Sequence, residues 1–420
     1  MSVEDKEKFT GSDTEGGITS SYAMDDGVKL KVPYSFFGSI YDDDEKNAAW
    51  EAMQQDTLTM GPQVAAFQTE FARMCGVKHA FAVTNCTTAM HVATQVFGIK
   101  PGDEVIVTPN TFIATSLVIL KEGGRPVFAD IDPRTFNIDP AEIAKKVTSK
   151  TKAIYVVHYG GQMCDMDPIM EIARKHNLFV MEDCAHTPSA EYKGRKAGSI
   201  GDIGCFSFHS LKNMTTCGEG GMITCNRDEF VDPIEKLRCM NLQPWENQTD
   251  YWIPSHFNVV DVNGKWGCNY RMNEIQAAVG RAQLRKLDML TERRRERGRK
   301  ITEGLKGIKG VTPVYEDPNC KHVYHLYTVC IEEEEIGASR DDFLRVLYRE
   351  EGVQGILHYQ PTYHFDAFKK LGYGDHLCPV HEKFFYHREF NICMNPRMTD
   401  QEIQDVVTGI RNTAEKVRSK

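Results

Sequence analysis

Between about residue 36 and residue 285 the chain alternates short apolar runs with helix-patterned stretches, and that order constrains the architecture more than any other feature. His79-Ala-Phe-Ala-Val-Thr84 reads as a strand, followed by a helix over 87–97. Glu104-Val-Ile-Val-Thr108 is a second strand, followed by a helix over 114–121. Further strands are expected at 126–129, 152–158, 178–183, 204–209 and 221–225. Repeated strand–helix–strand order builds a mainly parallel central sheet sandwiched by helices, an α/β fold. In such sheets ligands bind beyond the carboxyl ends of the strands.

Near Asn273 a long amphipathic helix begins, with Ile275, Val279 and Ala282 on one face. It leads into a basic stretch, 293–300, in which Glu292 and Glu296 recur at helical spacing, so a solvated, salt-bridged face is expected. Strand-like pieces over 323–331, an acidic turn at 332–335 and an amphipathic helix from Asp341 follow. Thr399-Asp-Gln-Glu402 is a capping box that opens a last helix bearing Ile403, Val406, Val407 and Ile410. The expected division is a mobile N-terminal arm over 1–30, a large domain over 31–285 and a smaller α+β domain over 286–420.

The bulk numbers exclude several classes. A net charge of −9 disfavours a sequence-independent grip on nucleic acid. The apolar runs are strand-sized, far short of a membrane span. The start, Met-Ser-Val-Glu-Asp-Lys, lacks the pattern of an export leader, so a cytoplasmic location is expected. Thirteen cysteines are scattered without a Cys-x-x-Cys pair. They read as buried thiols in a reducing compartment, and no metal site is expected.

Chemistry concentrates at two strand ends. Lys212 lies between the apolar run ending at Phe208 and the turn Gly218-Glu-Gly-Gly221, and Asp183 ends Phe179-Val-Met-Glu-Asp183. A lone lysine is usually a surface residue, and an aspartate after a strand is usually a cap. Together, at the ligand edge of a parallel sheet, they suggest pyridoxal phosphate (PLP): an amine for its aldehyde and a carboxylate for its ring nitrogen. Partial burial would lower the pKa of the lysine and free its amine. Thr84-Asn-Cys-Thr-Thr-Ala89 supplies N–H and hydroxyl donors at a helix start, where phosphate binds, and Ser207 adds another hydroxyl. An ordinary N-cap explains the same residues when they are taken alone. His186 is placed to bond the phenolic oxygen of the ring or lie against its face, and Phe112 to cover the other face.

The chain resembles the DegT/DnrJ/StrS family of sugar aminotransferases, PLP enzymes of fold type I. Five segments carry the resemblance in order: Thr84–Met90, Glu104–Thr115, Glu182–His186, Phe206–Asn213 with Gly218–Gly221, and Gly267–Ala278. It implies that Lys212 forms a Schiff base with PLP and that Asp183 binds the pyridine nitrogen. His186 neighbours the phenolic oxygen, Phe112 stacks on the ring, and Cys86, Thr87 and Ser207 meet the phosphate. Asn269 is similar to the family asparagine that reaches the phosphate of the neighbouring subunit, which implies a homodimer with shared sites. Arg271 and the segment His358-Tyr-Gln-Pro-Thr362 fall on the substrate side. The amino donor is expected to be glutamate or glutamine, and the acceptor a keto group on a nucleotide-linked sugar or a cyclitol.

Two departures stand out. Cys86 occupies a position where the family often has glycine, and the stretch 241–266, with Trp245, Tyr251, Trp252 and Trp266, is rich in aromatics. The family also includes dehydratases with histidine in place of the lysine; the lysine here favours transamination. Other PLP chemistry, such as dehydration, epimerisation or sulfur removal with Cys217 as the nearest thiol, and a non-catalytic PLP-binding regulatory protein are the competing readings.

Overall fold

The computed structural model describes residues 27–35, 37–244 and 257–419. The central sheet has seven strands: β1 (His79–Val83), β2 (Glu104–Val107), β3 (Arg125–Phe128), β4 (Thr151–Val157), β5 (Phe179–Asp183), β8 (Ile203–Ser207) and β9 (Gly221–Cys225). A short hairpin, β6 (Glu191–Tyr192) and β7 (Arg195–Lys196), interrupts the run between β5 and β8. The order is β1-β9-β8-β5-β4-β2-β3. Only β9 runs against its neighbours, so the sheet is mainly parallel, as the alternating pattern requires.

Successive strand residues divide between two cores, which is the period-2 consequence of covering both faces. On one face Ile154, Val156, Val180 and Phe206 pack with Phe67 and Phe71 of the helix Pro62–Cys75 and with Ile169 of Met166–His176. On the other, Val105, Tyr155, Met181 and Cys205 meet Met90 and Ala93 of Cys86–Val96 and Ile119 of Ala114–Lys121. Phe71 stands edge-on to Phe206 at 4.9 Å, an arrangement aromatic rings favour.

After the hairpin of β10 (Leu242–Pro244) and β11 (Phe257–Val259) comes a second sheet. It is built from β12 (Val311–Thr312), β14 (Tyr327–Ile331), β15 (Gly355–Ile356) and β16 (Glu389–Ile392), antiparallel in the order β12-β14-β16-β15. β13 (Cys320–Lys321) instead extends the β6–β7 hairpin. Phe343 and Leu347 of the helix Arg340–Arg349 and Ile403, Val406 and Ile410 of Asp400–Arg418 cover this sheet. The capping box at Thr399 forms as its spacing predicts.

A helix of 32 residues, Glu274–Leu305, opens with an Asn273–Gln276 capping box and joins the two cores. Its Ala277 and Leu287 belong to the first core, and its Ile301 and Leu305 to that of the second sheet. The position between 285 and 286, expected as a domain boundary, therefore falls inside a continuous helix. The basic stretch is also less solvated than its charge pattern implies. Lys300 pairs with Glu296 and Asp400, each at 2.8 Å. Arg294, however, is fully buried and donates to the carbonyls of Tyr324, Met394 and Gly38. Arg295 is buried against Glu316. The helical period turns these two arginines inward, which charge composition does not reveal.

Residues 1–26, most of the expected arm, lie outside the described residues. The next segment packs on the second sheet: Lys31 and Val32 donate to the Gly352 carbonyl, and Gln354 donates to Val32. Trp245, Tyr251 and Trp252 also lie outside the described residues, whereas Trp266 is largely exposed. No helix among the described residues is long and apolar enough to cross a membrane.

One buried ionic network braces the segment that leads into Asn269. Glu122 accepts from Lys265 at 2.7 Å and from His91 at 2.8 Å, and His91 also meets the Tyr270 hydroxyl. Burial alone would raise the Glu122 carboxyl, but the bonds from His91 and Lys265 outweigh it and hold the group at about 2, against an ordinary 4.5. A depressed carboxylate contributes stability above its unfolded pKa and loses it as pH falls toward the folded value. Glu122→Gln is therefore expected to cost about 2 kcal/mol near neutral pH. In denaturant titrations the gap from the parent should narrow below about pH 5 and close only near pH 2; a pH-independent gap would assign the cost to packing.

Candidate active site

The strand register brings the predicted residues to one edge of the sheet. Val83 stands opposite Gly221, Gly221 opposite Ser207, Asp183 opposite Cys205, and Val157 opposite Asp183. Val83, Val157, Asp183 and Ser207 end their parallel strands and Gly221 begins the antiparallel β9 beside them, so a row of strand ends forms the floor of a cavity of about 620 Å³. Cys86, Thr87, Phe112, Asp183, His186, Ser207, Lys212 and His358 all line it. Residues more than 270 positions apart in the chain converge here because the sheet places their strand ends side by side.

Lys212 sits in a tight loop closed by bonds from its own N–H to the His209 carbonyl and from Ser210 N–H to the Gly218 carbonyl. Gly38 passes directly over this loop. A Cβ there would lie 2.1 Å from the Leu211 carbonyl oxygen, so only glycine fits. Burial pushes the Lys212 ammonium below its ordinary pKa, while Asp183, Cys86 and Glu219 oppose that shift. Asp183 is buried, and desolvation raises its carboxyl; Thr115 Oγ1, donating at 2.8 Å, and Ala185 N–H, donating at 3.1 Å, aim it. Lys212 and Asp183 face the same space without forming an ion pair among the described residues.

The helix Cys86–Val96 starts at this floor. Asn85 caps it by accepting from Thr88 N–H, and Asn85 N–H in turn donates to Thr88 Oγ1. The Cys86 and Thr87 N–H groups belong to the first turn, where no intrahelical carbonyl is in reach. β9 touches this turn directly: a Cβ at Gly221 would fall 2.5 Å from the Asn85 carbonyl carbon. Cys86 is accommodated with its thiol turned toward the Cys205 carbonyl, 3.5 Å away, rather than occupying the donor end. Phe112 is 61% exposed in the cavity wall and stands edge-on to Tyr359, with ring centroids 6.5 Å apart.

Two predicted residues do not line this cavity. Asn269 is exposed and accepts from Arg271 Nε at 3.0 Å. Their segment runs beside the end of β1 through the Val83–Arg271 bridge. Other cavity residues escaped the sequence reading. Thr115 had a usable signal, since it follows Phe112 by three positions at a helix start. Tyr359 and Gln360, which belong to the segment expected on the substrate side, also line the cavity, brought there by the second sheet.

Beneath the floor, His158, Glu182 and Cys184 form a buried cluster of potential metal-ligand type. Glu182 is engaged instead by His158 Nε2 at 3.0 Å and by the N–H groups of Gly198, Ile200 and Gly201. Cys164 N–H donates to His158 Nδ1. Burial raises Glu182, but these donors prevail and keep it below the ordinary range. The cluster is a brace under Asp183, with its ligand atoms already bonded.

The model of the DegT/DnrJ/EryC1/StrS aminotransferase family matches residues 39–411. The spore coat polysaccharide biosynthesis protein SpsC of Bacillus subtilis is 37% identical over 91% of this chain and 96% of its own. The GDP-perosamine synthase of Caulobacter vibrioides is 42% identical over 73% of this chain and 79% of its own. A Streptococcus pneumoniae structure in its PLP form superposes with a TM-score of 0.82 at 25% identity, covering 92% of this chain and 99% of that one. These likenesses make pyridoxal phosphate the cofactor. The side chains fit it: an amine and a carboxylate that form no ion pair among the described residues share one cavity, beside a helix start kept open by Gly221.

Proposed function

The chain belongs to the DegT/DnrJ/EryC1/StrS aminotransferase family, and from that premise we propose how its residues divide the work of amino transfer. It is a PLP-dependent transaminase acting on a sugar in a biosynthetic route. Our reading rests on the convergence of Lys212 and Asp183, unpaired with each other, on one cavity at the strand ends. PLP supplies, when bound, an aldehyde that condenses with amines and a ring that takes up the electrons of an adjoining C–H bond.

Lys212 would hold the aldehyde carbon of the cofactor. Its amine, eased toward the neutral form by burial, would be the group that carries the proton to and from the donor carbon. Asp183 keeps the ring nitrogen protonated, aimed by Thr115 and Ala185. The Cys86 and Thr87 N–H groups and the Ser207 hydroxyl receive the phosphate, where the partial positive charge of the helix start adds to the attraction. Phe112 and His186 flank the ring, and His358 faces the substrate. Asn269, turned away from its own cavity beside Arg271, serves the site of a second copy in a homodimer.

The donor is glutamate or glutamine. The acceptor is a keto group on a nucleotide-linked sugar, a reading supported by the 42% identity to GDP-perosamine synthase. We place the reaction in the cytoplasm, in keeping with thirteen unpaired thiols. The test is a stepwise screen of the purified holoenzyme. Glutamate and glutamine are offered first, and conversion of the bound cofactor to its amine form is followed by absorbance. Nucleotide-linked keto sugars and keto-cyclitols are then offered for the return. Return by a cyclitol alone would refute the nucleotide assignment, and no conversion with either donor would refute the donor assignment.

A further inference from the structure

The geometry points to Tyr359 as the direct hydrogen-bond donor to the phenolic oxygen of the cofactor, with His186 as the positioning residue that aims it. This rests on the placement of PLP proposed above. The sequence placed His186 at that oxygen or against the ring face, but the hydrogen bonds around the imidazole leave it no proton to give.

Gly160 N–H donates to His186 Nδ1 at 3.3 Å, so that nitrogen carries no hydrogen. Burial drives the imidazole well below its ordinary pKa, and nearby Lys212 and His358 add to that, so His186 is neutral with its single proton on Nε2. Nε2 lies 3.3 Å from the Tyr359 hydroxyl, which must therefore accept. The phenol keeps its own hydrogen, which no acceptor among the described residues receives. Tyr359 lines the catalytic cavity, so the free O–H sits in its wall.

The surroundings hold this relay in place. His325 lies against His186 with ring centroids 4.1 Å apart and is anchored through Nδ1 to Asn213, the residue after Lys212. Tyr359 N–H donates to Asn110 Oδ1, and the ring meets Tyr159 edge-on at 6.4 Å. Burial raises the phenol far above its ordinary value, as do Tyr34 and Asp183, so it remains a donor throughout the working range. The titratable groups around it are Tyr34, Tyr159, Asp183, His186 and His358, with Lys212 in the same cavity.

A donor to the phenolic oxygen stabilises its anionic form and weakens its hold on the proton shared with the neighbouring imine nitrogen. Removing the donor raises the pH at which the absorbance of the bound cofactor titrates. For Tyr359→Phe holoenzyme we expect that midpoint to rise by about one unit, a tenfold change in proton affinity. The melting temperature of the cofactor-free protein should be unchanged. His186→Ala should raise the midpoint by less, because the phenol remains but is no longer aimed. An unmoved midpoint in Tyr359→Phe, or a larger shift in His186→Ala than in Tyr359→Phe, overturns the assignment. Parent protein that binds PLP without a titrating chromophore overturns the underlying placement at Lys212 instead, so the two failures are distinguishable.

Discussion

Lys212→Ala is expected to lower amino transfer by about 10³-fold or more, since it removes both the covalent anchor and the group that moves the proton. The substitution leaves the strand ends, the phosphate helix and Asp183 in place, so PLP should still bind, though without a covalent bond. Borohydride treatment should tag Lys212 in the parent protein and tag no residue in the variant. An external amine should restore part of the rate, because it supplies the missing proton carrier without the anchor. Lys212→Ala transferring amino groups at the parental rate would refute the assignment outright. Tagging of another lysine in the parent would move the anchor elsewhere.

Asp183→Asn carries the second large effect. The amide preserves the shape of the side chain and can still accept from Thr115, but it cannot hold a proton on the ring nitrogen. Removing such a preorganised charge from a buried site lowers rates by about 10² to 10³-fold, and we expect a loss at the upper end. Thr115→Val tests the same interaction from behind: it keeps the carboxylate and removes the shortest of the bonds that aim it. Its loss should be about tenfold, the cost of one hydrogen bond to a charged group. Equal losses in Asp183→Asn and Thr115→Val would mean that Asp183 acts through packing and not through its charge. The rate of each half-reaction in single-turnover experiments is the measurement that separates these outcomes.

The residues that carry this chemistry differ in how much of their role is written locally. Lys212 is legible because the strand before it and the glycine turn after it are both contiguous in the chain. Asp183 is legible for the same reason, as the last residue of an apolar run. The helix start at Asn85 has its cap and its donors within four residues. Tyr359 sits in a segment with no such local frame. It reaches the cavity only because the second sheet docks beside the first, and its proton is directed by Gly160 and His186 from two other segments. Arg294 illustrates the same limit in the opposite sense. A basic run interleaved with acids looks solvated, yet its burial depends on which way the long helix faces the carbonyls of Gly38, Tyr324 and Met394.

The amino-acid order by itself determined the parallel sheet, the edge at which ligands gather, and the lysine, carboxylate and helix start placed there. Period-2 and period-3.6 patterns and strand-end positions are local properties, set by backbone geometry within a few residues. Only the tertiary structure decided that Asn269 and Arg271 turn away from their own cavity, that one helix joins both cores, and that a tyrosine more than 140 residues beyond the lysine completes the site. Those outcomes depend on contacts between segments far apart in the chain, whose distances and tautomers are set by packing and hydrogen bonding across the whole fold.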